Sequence, residues 1–246
     1  MTAETISSVN VEYEHKWRID HVAADWNPEE PENGDGLVRK VLDSVESNLG
    51  ATAGELHTFT QSAIYFDTPS WDLAENDISL AALVNYGALS GTGWLVLKET
   101  VRWHGDRREA LEVAESVPTR ELTRRMSRGD LAPLRRIERR LPVAAESLRP
   151  YAKAVQRRRK ALLRLDGGAV LATTLDSSKL SGADQAAESG AAHWWFEAEV
   201  NSGDLRVLDV LEATAAAVRS VFAVEADHTT KPQEAARLAG WGAAGR

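Results

Sequence analysis

The stretch "VNVEYEHKWRI", residues 9–19, alternates with period two. As a β-strand it puts Glu12, Glu14, Lys16 and Arg18 on one side and Val11, Tyr13, His15, Trp17 and Ile19 on the other. The purity of these faces is the strongest constraint in the chain, because it recurs. "HWWFEAEV" (193–200) sets Glu197 and Glu199 against Trp194, Phe196, Ala198 and Val200. "VQRRRKA" places Arg157 and Arg159 together, with Arg158 opposite and expected outside. "RREALEV" (107–113) offers Arg108 with Glu112, or Arg107 with Glu109, while Lys98 and Asp176 end otherwise apolar strands.

Solvated strand faces would mix Ser, Thr, Lys and Gln. Faces pure in carboxylate or guanidinium, backed by faces pure in apolar residues, fit a closed antiparallel barrel whose outside is covered by helices and whose lumen is charged. The expected fold class is therefore α+β, an eight-stranded antiparallel β-barrel packed by flanking α-helices. Its strands are expected at 9–19, 62–68, 77–84, 93–101, 107–113, 153–165, 168–176 and 193–200, and its helices at 36–50, over most of 119–147 and at 204–226. Residues 25–36 and 180–192 read as loops. No internal repeat and no linker divides the chain.

Burying many ionised groups is costly unless opposite charges, hydrogen bonds or ions compensate them. Carboxylates beside basic groups suggest a polyanion bridged by hard divalent cations, since carboxylate oxygens suit magnesium or manganese and Arg and Lys suit phosphate oxygens. The overall balance is acidic, with a formal net charge of −8, which argues against a general nucleic-acid or anionic-membrane binder. The charge is uneven, however: residues 120–164 hold 15 Lys and Arg against 4 Asp and Glu. The chain has no cysteine, which excludes disulfides, thiolate metal sites and cysteine nucleophiles. "MTAETISSVN" lacks the features of a signal peptide and no apolar run approaches membrane-spanning length, so a cytoplasmic protein is expected. Neither a nucleophile elbow nor a Gly-rich phosphate loop is present.

"VEYEHK" matches the ExExK motif that opens the CYTH domain, and the downstream order resembles the same family: "YFDTP" (65–69), "WLVLK" ending in Lys98, "RREALE", the Arg-rich strand ending near Arg159, "LD" (175–176), "FEAEV" and "TTKPQEAARL" with Lys231. The resemblance to these triphosphate tunnel metalloenzymes spans residues 12–231 and implies one tunnel domain with its core at about 9–240. It implies a substrate that is a phosphorylated small molecule, Mg2+ or Mn2+ as cofactor, and a monomer or homodimer. Carried over by position, it implies metal ligation by Glu12, Glu14, Asp176, Glu197 and Glu199, with Glu112 or Glu109 orienting the attacking water. Lys16, Lys98, Arg157, Arg159 and Lys231 resemble the phosphate-binding set, and Lys98 stands close to the chemistry.

One strand departs from the family pattern. After "YFDTP" such proteins carry a strand with two arginines that grip the triphosphate, and here it reads "ISLAALVNYG", with Ala81 and Leu83 at those positions. Two missing guanidiniums forfeit charge-assisted bonds of about 1.5–3 kcal/mol each. Either Arg102, Arg107 or Arg108 substitutes, or the ligand has fewer phosphates or an apolar group there; the eight tryptophans favour the latter. The leading expectation is a metal-dependent, triphosphatase-type phosphohydrolase. The alternatives are a lyase or cyclase releasing pyrophosphate from an organic diphosphate, such as a prenyl diphosphate, or from a nucleotide, and a non-catalytic module that binds a phosphorylated ligand.

Plainer roles compete for the same residues. The Glu12–Lys16 face and the 157–159 arginines also suit a solvated surface, and tryptophans commonly pack a barrel against its helices. The arginine pairs of 120–140 read as a solvated helical face, or as a contact for RNA or polyphosphate.

Overall fold

The computed structural model describes residues 7–20, 31–49, 52–87, 91–165, 168–185 and 192–242. Eight strands form: β1 (Ser7–Arg18), β2 (Thr52–Asp67), β3 (Ile78–Asn85), β4 (Thr92–His104), β5 (Arg107–Pro118), β6 (Arg149–Arg164), β7 (Val170–Gly182) and β8 (Ala192–Val200). They close into an antiparallel barrel in the order β1-β5-β4-β3-β2-β6-β7-β8. Every strand expected from period-two alternation is present, and β2 is much longer than its apolar stretch implies because residues 52–60 pair with β6 alone.

Helices α1 (Pro31–Leu49) and α4 (Leu205–Phe222) pack on one side of the barrel. Val38, Val41 and Leu42 of α1 and Leu211, Ala215 and Val218 of α4 bury against Trp17, Leu175 and Phe196 of the strands. α4 starts where Asp204 accepts the Arg206 amide (2.9 Å), an N-cap contribution of about 1 kcal/mol. On the other side, α2 (Thr119–Ser127) and α3 (Ala132–Arg140) set Leu122, Leu134 and Ile137 against Leu80, Leu95 and Val113. The single helical region expected at 119–147 is thus broken, with Gly129 at φ 66° and Pro133 at the start of α3. Several arginines of these helices do not face water freely: Arg125 pairs with Glu115 at 2.9 Å, and Arg136 and Arg140 pair with Glu99 at 2.9 and 3.0 Å. They tie the helices to outward carboxylates of the barrel.

α5 (Lys231–Leu238) packs on β6 and β7 and gives Lys231 and Pro232 to the cavity lining. A capping box between Thr230 and Gln233 fixes its start, and Ala235 packs with Tyr65, Ala152, Ala154 and Trp195. The loop expected at 25–36 ends earlier, because α1 begins at Pro31, and residues 25–30 lie outside the described residues. At 180–192, β7 continues to Gly182 and residues 186–191 lie outside the described residues.

Candidate active site in the tunnel

Strand alternation decides which side chains enter the lumen. Glu12, Glu14 and Lys16 point inward and are 7%, 7% and 5% exposed, while Trp17 on the outer face is fully buried beneath the helices. His15, on that outer face, meets Glu212 of α4 at 3.2 Å. The β1–β8 ladder sets Glu14 beside Glu199 and Lys16 beside Glu197, so the two carboxylate pairs stand on neighbouring strands. With Lys98, Arg108, Glu112, Arg158, Lys160 and Lys231 they line a cavity of about 410 Å³. Asp176 is fully buried behind it, held by Arg158 and Lys231.

Each inward cation meets an acceptor. Lys98 contacts Glu12 at 2.7 Å and Glu112 at 3.5 Å, and Arg108 reaches Glu14 at 3.4 Å. Arg158 bonds Asp176 at 2.8 Å and nears Glu197 at 3.5 Å; Lys160 bonds Glu199 at 3.0 Å, and Lys231 bonds Glu197 at 3.0 Å as well as Asp176. Lys16 donates to the Thr229 carbonyl.

These contacts split the carboxylates electrostatically. Burial raises the pKa values of Glu197 and Glu199, but the cations outweigh it: Lys231, Arg158 and Lys16 hold Glu197 at about 2, and Lys160 and Lys98 hold Glu199 at about 2. Glu12 goes the other way. Burial, helped by the charges of Glu199, Glu14 and Glu112, pushes its carboxyl well above the usual range against the pull of Lys98. Burial also holds the Lys16 ammonium below the usual lysine range, with Asp227, Glu14 and Glu197 opposing.

Four expected positions are corrected. Arg157 and Arg159 do not line the lumen; Arg158, expected outside, does. Three consecutive arginines leave strand parity open, and a one-residue shift exchanges the faces. The flanking residues carried the answer, because Ala161 and Leu163 share the face of Arg159 and pack under the helices, whereas Gln156 and Lys160 share the face of Arg158. Lys160 was missed for the same reason. Glu109 is also outside: it pairs across the ladder with Tyr13 and accepts from Arg102 (2.7 Å) and His104 (3.0 Å), leaving Glu112 as the inward carboxylate of β5. Of the three arginines offered above as substitutes for the missing strand pair, Arg102 bonds Glu109, Arg107 bonds Glu212 at 2.6 Å, and only Arg108 lines the lumen. Ala81 and Leu83 do face the cavity, so the uncharged strand is a feature of its wall.

Among the described residues, no group of three or more His, Asp or Glu side chains converges to hold a metal ion. The lumen does hold donors of the chemical kind a hard divalent ion takes. The oxygens are hard donors, Glu12 is close enough to three other carboxylates for their charges to raise its pKa, and the inward ammonium and guanidinium groups match the inward carboxylates Glu12, Glu14, Glu112, Asp176, Glu197 and Glu199 in number. Counted as ionised, these groups carry no net charge, and a bound divalent cation would add positive charge for a polyanion. Among the described residues, no helix is long and apolar enough to cross a membrane.

No family model matches the chain, and no curated protein matches it. Solved structures do match over nearly the whole chain. A protein of Bacillus halodurans described as an adenylate cyclase candidate shares 15% identity at a TM-score of 0.58, covering 92% of this chain and 97% of its own. A Hippeastrum protein, described as an adenylyl cyclase candidate with a dominant triphosphatase activity, shares 16% identity at a TM-score of 0.55, covering 92% and 95%. A protein of Pyrococcus horikoshii shares 13% identity at a TM-score of 0.51, covering 92% and 98%. At these identities the likeness is one of fold, and the fold is the tunnel expected from the ordered motifs.

Proposed function

We propose that this protein is a divalent-metal-dependent enzyme that cleaves a phosphoanhydride bond inside its β-tunnel, most simply by hydrolysis of a triphosphate compound. The observation that carries this reading is that Glu12, Glu14, Glu197 and Glu199 enter one lumen together with Lys16, Lys98, Arg108, Arg158, Lys160 and Lys231. The activity named for the Hippeastrum neighbour agrees with it.

In this reading Glu12, Glu14, Glu197 and Glu199 hold Mg2+ or Mn2+, with Asp176 fixing Arg158 and Lys231. Such an ion, when bound, neutralises phosphate charge and activates water toward phosphorus. The chain's own basic groups grip the phosphate oxygens and hold them in line for displacement. Glu112, 3.5 Å from Lys98, orients the attacking water and accepts its proton. A divalent ion held by Glu12 and Glu199 would leave Lys98 and Lys160, which now pair with them at 2.7 and 3.0 Å, free for phosphate.

A second reading, pyrophosphate release by a lyase or cyclase, is favoured by Ala81 and Leu83 in the cavity wall. A screen of tripolyphosphate, nucleoside triphosphates and organic diphosphates with Mg2+ or Mn2+, reading phosphate and pyrophosphate separately, distinguishes the two. Glu197→Gln and Glu199→Gln are each expected to lower whichever activity is found by at least about a hundredfold. Unchanged turnover in both would refute the assigned metal site.

A further inference from the structure

Around the barrel, the charged lumen residues are confined to an arc. β1, β5, β4, β6 and β8 each contribute at least one, and α5 adds Lys231, whereas the adjacent strands β2 and β3 contribute only Gln61, Tyr65, Ser79, Ala81 and Leu83 to the cavity. The ladders extend this uncharged arc sideways. Val96 of β4 pairs with Ala81, and Trp94, on the same strand face as Val96, pairs with Leu83. The arc also leads outward: Leu162, 37% exposed, borders both this cavity and a wider cleft of about 910 Å³ whose lining is mixed, with Leu56, Phe59 and Tyr86 beside Glu55, His57 and Arg157, and Lys160 borders both as well.

An inorganic triphosphate, anionic on every side, would set some oxygens against Ala81, Leu83 and Val96, which offer no donor, the arc holding only the neutral donors Gln61, Tyr65 and Ser79, and unpaired charge in such a site is costly. Ala81 and Leu83 also pack against the cluster of Tyr65, Trp195 and Ala235 of α5, while β3 turns its other face, Leu80 and Ala82, to α2 and α3. We infer that the substrate is an organic phosphate whose non-phosphate part is apolar, lying along Ala81, Leu83 and Val96 and passing Leu162 into the outer cleft, while its phosphates meet the basic residues opposite. The inference rests on the phosphate-binding reading above and specifies the ligand for that site. From Ala81 to Tyr86 the track is roughly 16 Å long, enough for an extended chain.

The test is calorimetric titration of the full chain in Mg2+ with inorganic pyrophosphate, tripolyphosphate, ATP and a series of n-alkyl diphosphates from ethyl to decyl. Affinity is expected to rise with chain length by about fourfold per buried methylene. In Leu83→Asn the ratio of decyl diphosphate affinity to pyrophosphate affinity is expected to fall at least tenfold, about the effect of two methylenes. If that variant fails to fold, the chain-length series on the unaltered protein decides alone. Affinity independent of chain length, or tighter binding of tripolyphosphate or ATP than of decyl diphosphate, overturns the inference and leaves the phosphate site standing. Binding of none of these compounds overturns both.

Discussion

The Lys98 ammonium bonds both carboxylate oxygens of Glu12, at 2.7 and 2.8 Å, yet Glu12 still holds its proton more tightly than an ordinary carboxyl because it is buried among Glu199, Glu14 and Glu112. The folded protein therefore binds more protons than the unfolded chain between the ordinary carboxylate pKa and the raised one. Linkage then makes stability fall as pH rises through that window, and above it the Glu12 charge remains a penalty. In metal-free protein, Glu12→Gln is expected to raise the urea midpoint at about pH 8, with the gain vanishing by about pH 4, where both states are protonated. A lower midpoint for the variant at the higher pH would contradict the account.

Arg158 and Arg157 are adjacent in sequence and opposite in direction. Arg158→Ala is expected to weaken binding of tripolyphosphate in Mg2+ by about ten- to a hundredfold, the worth of one charge-assisted contact set. Arg157→Ala, on the other face, is expected to stay within about threefold. Titration of both variants checks the strand parity directly, and equal losses would show it to be wrong.

Glu112 and Glu109 separate in the same way. Glu112→Gln is expected to lower kcat by about a hundredfold if it handles the proton of the attacking water. Glu109→Gln removes a carboxylate held below its ordinary pKa by bonds from Arg102 and His104 outside the barrel, and should leave kcat within a few-fold. Steady-state kinetics with the reverse ranking would move the proton-handling group out of the lumen.

Asp67, 3% exposed, accepts the amides of Thr68 (2.7 Å), Leu73 (2.9 Å) and Ala74 (2.9 Å), and so holds the turn after β2. Asp67→Ala leaves three amides without an acceptor and is expected to destabilise the protein by about 3 kcal/mol in urea unfolding. Asp67→Asn, keeping the oxygen that serves Thr68 and Leu73, should cost less. Equal losses would mean that charge rather than hydrogen bonding holds the turn.

The alternation of Glu12, Glu14 and Lys16 against Tyr13 and Trp17 determined a two-faced strand, and its repetition around Glu197 and Glu199 determined a closed barrel with a charged interior. Both follow from a period of two, which is local and survives without knowledge of partners. No helix was expected at 231–238, although the capping pattern of Thr230 and Gln233 that starts α5 is local. Tertiary structure decided what local pattern leaves open. It chose Arg158 over Arg157 and Arg159 because the apolar Ala161 and Leu163 had to meet the helices. It turned Glu109 toward Arg102 and His104, and set Glu112 beside Lys98. It also gave Ala81 and Leu83 their meaning: in the sequence they are missing arginines, but in the closed barrel they form a continuous apolar wall with Val96, because only pairing between strands makes residues on β3 and β4 neighbours.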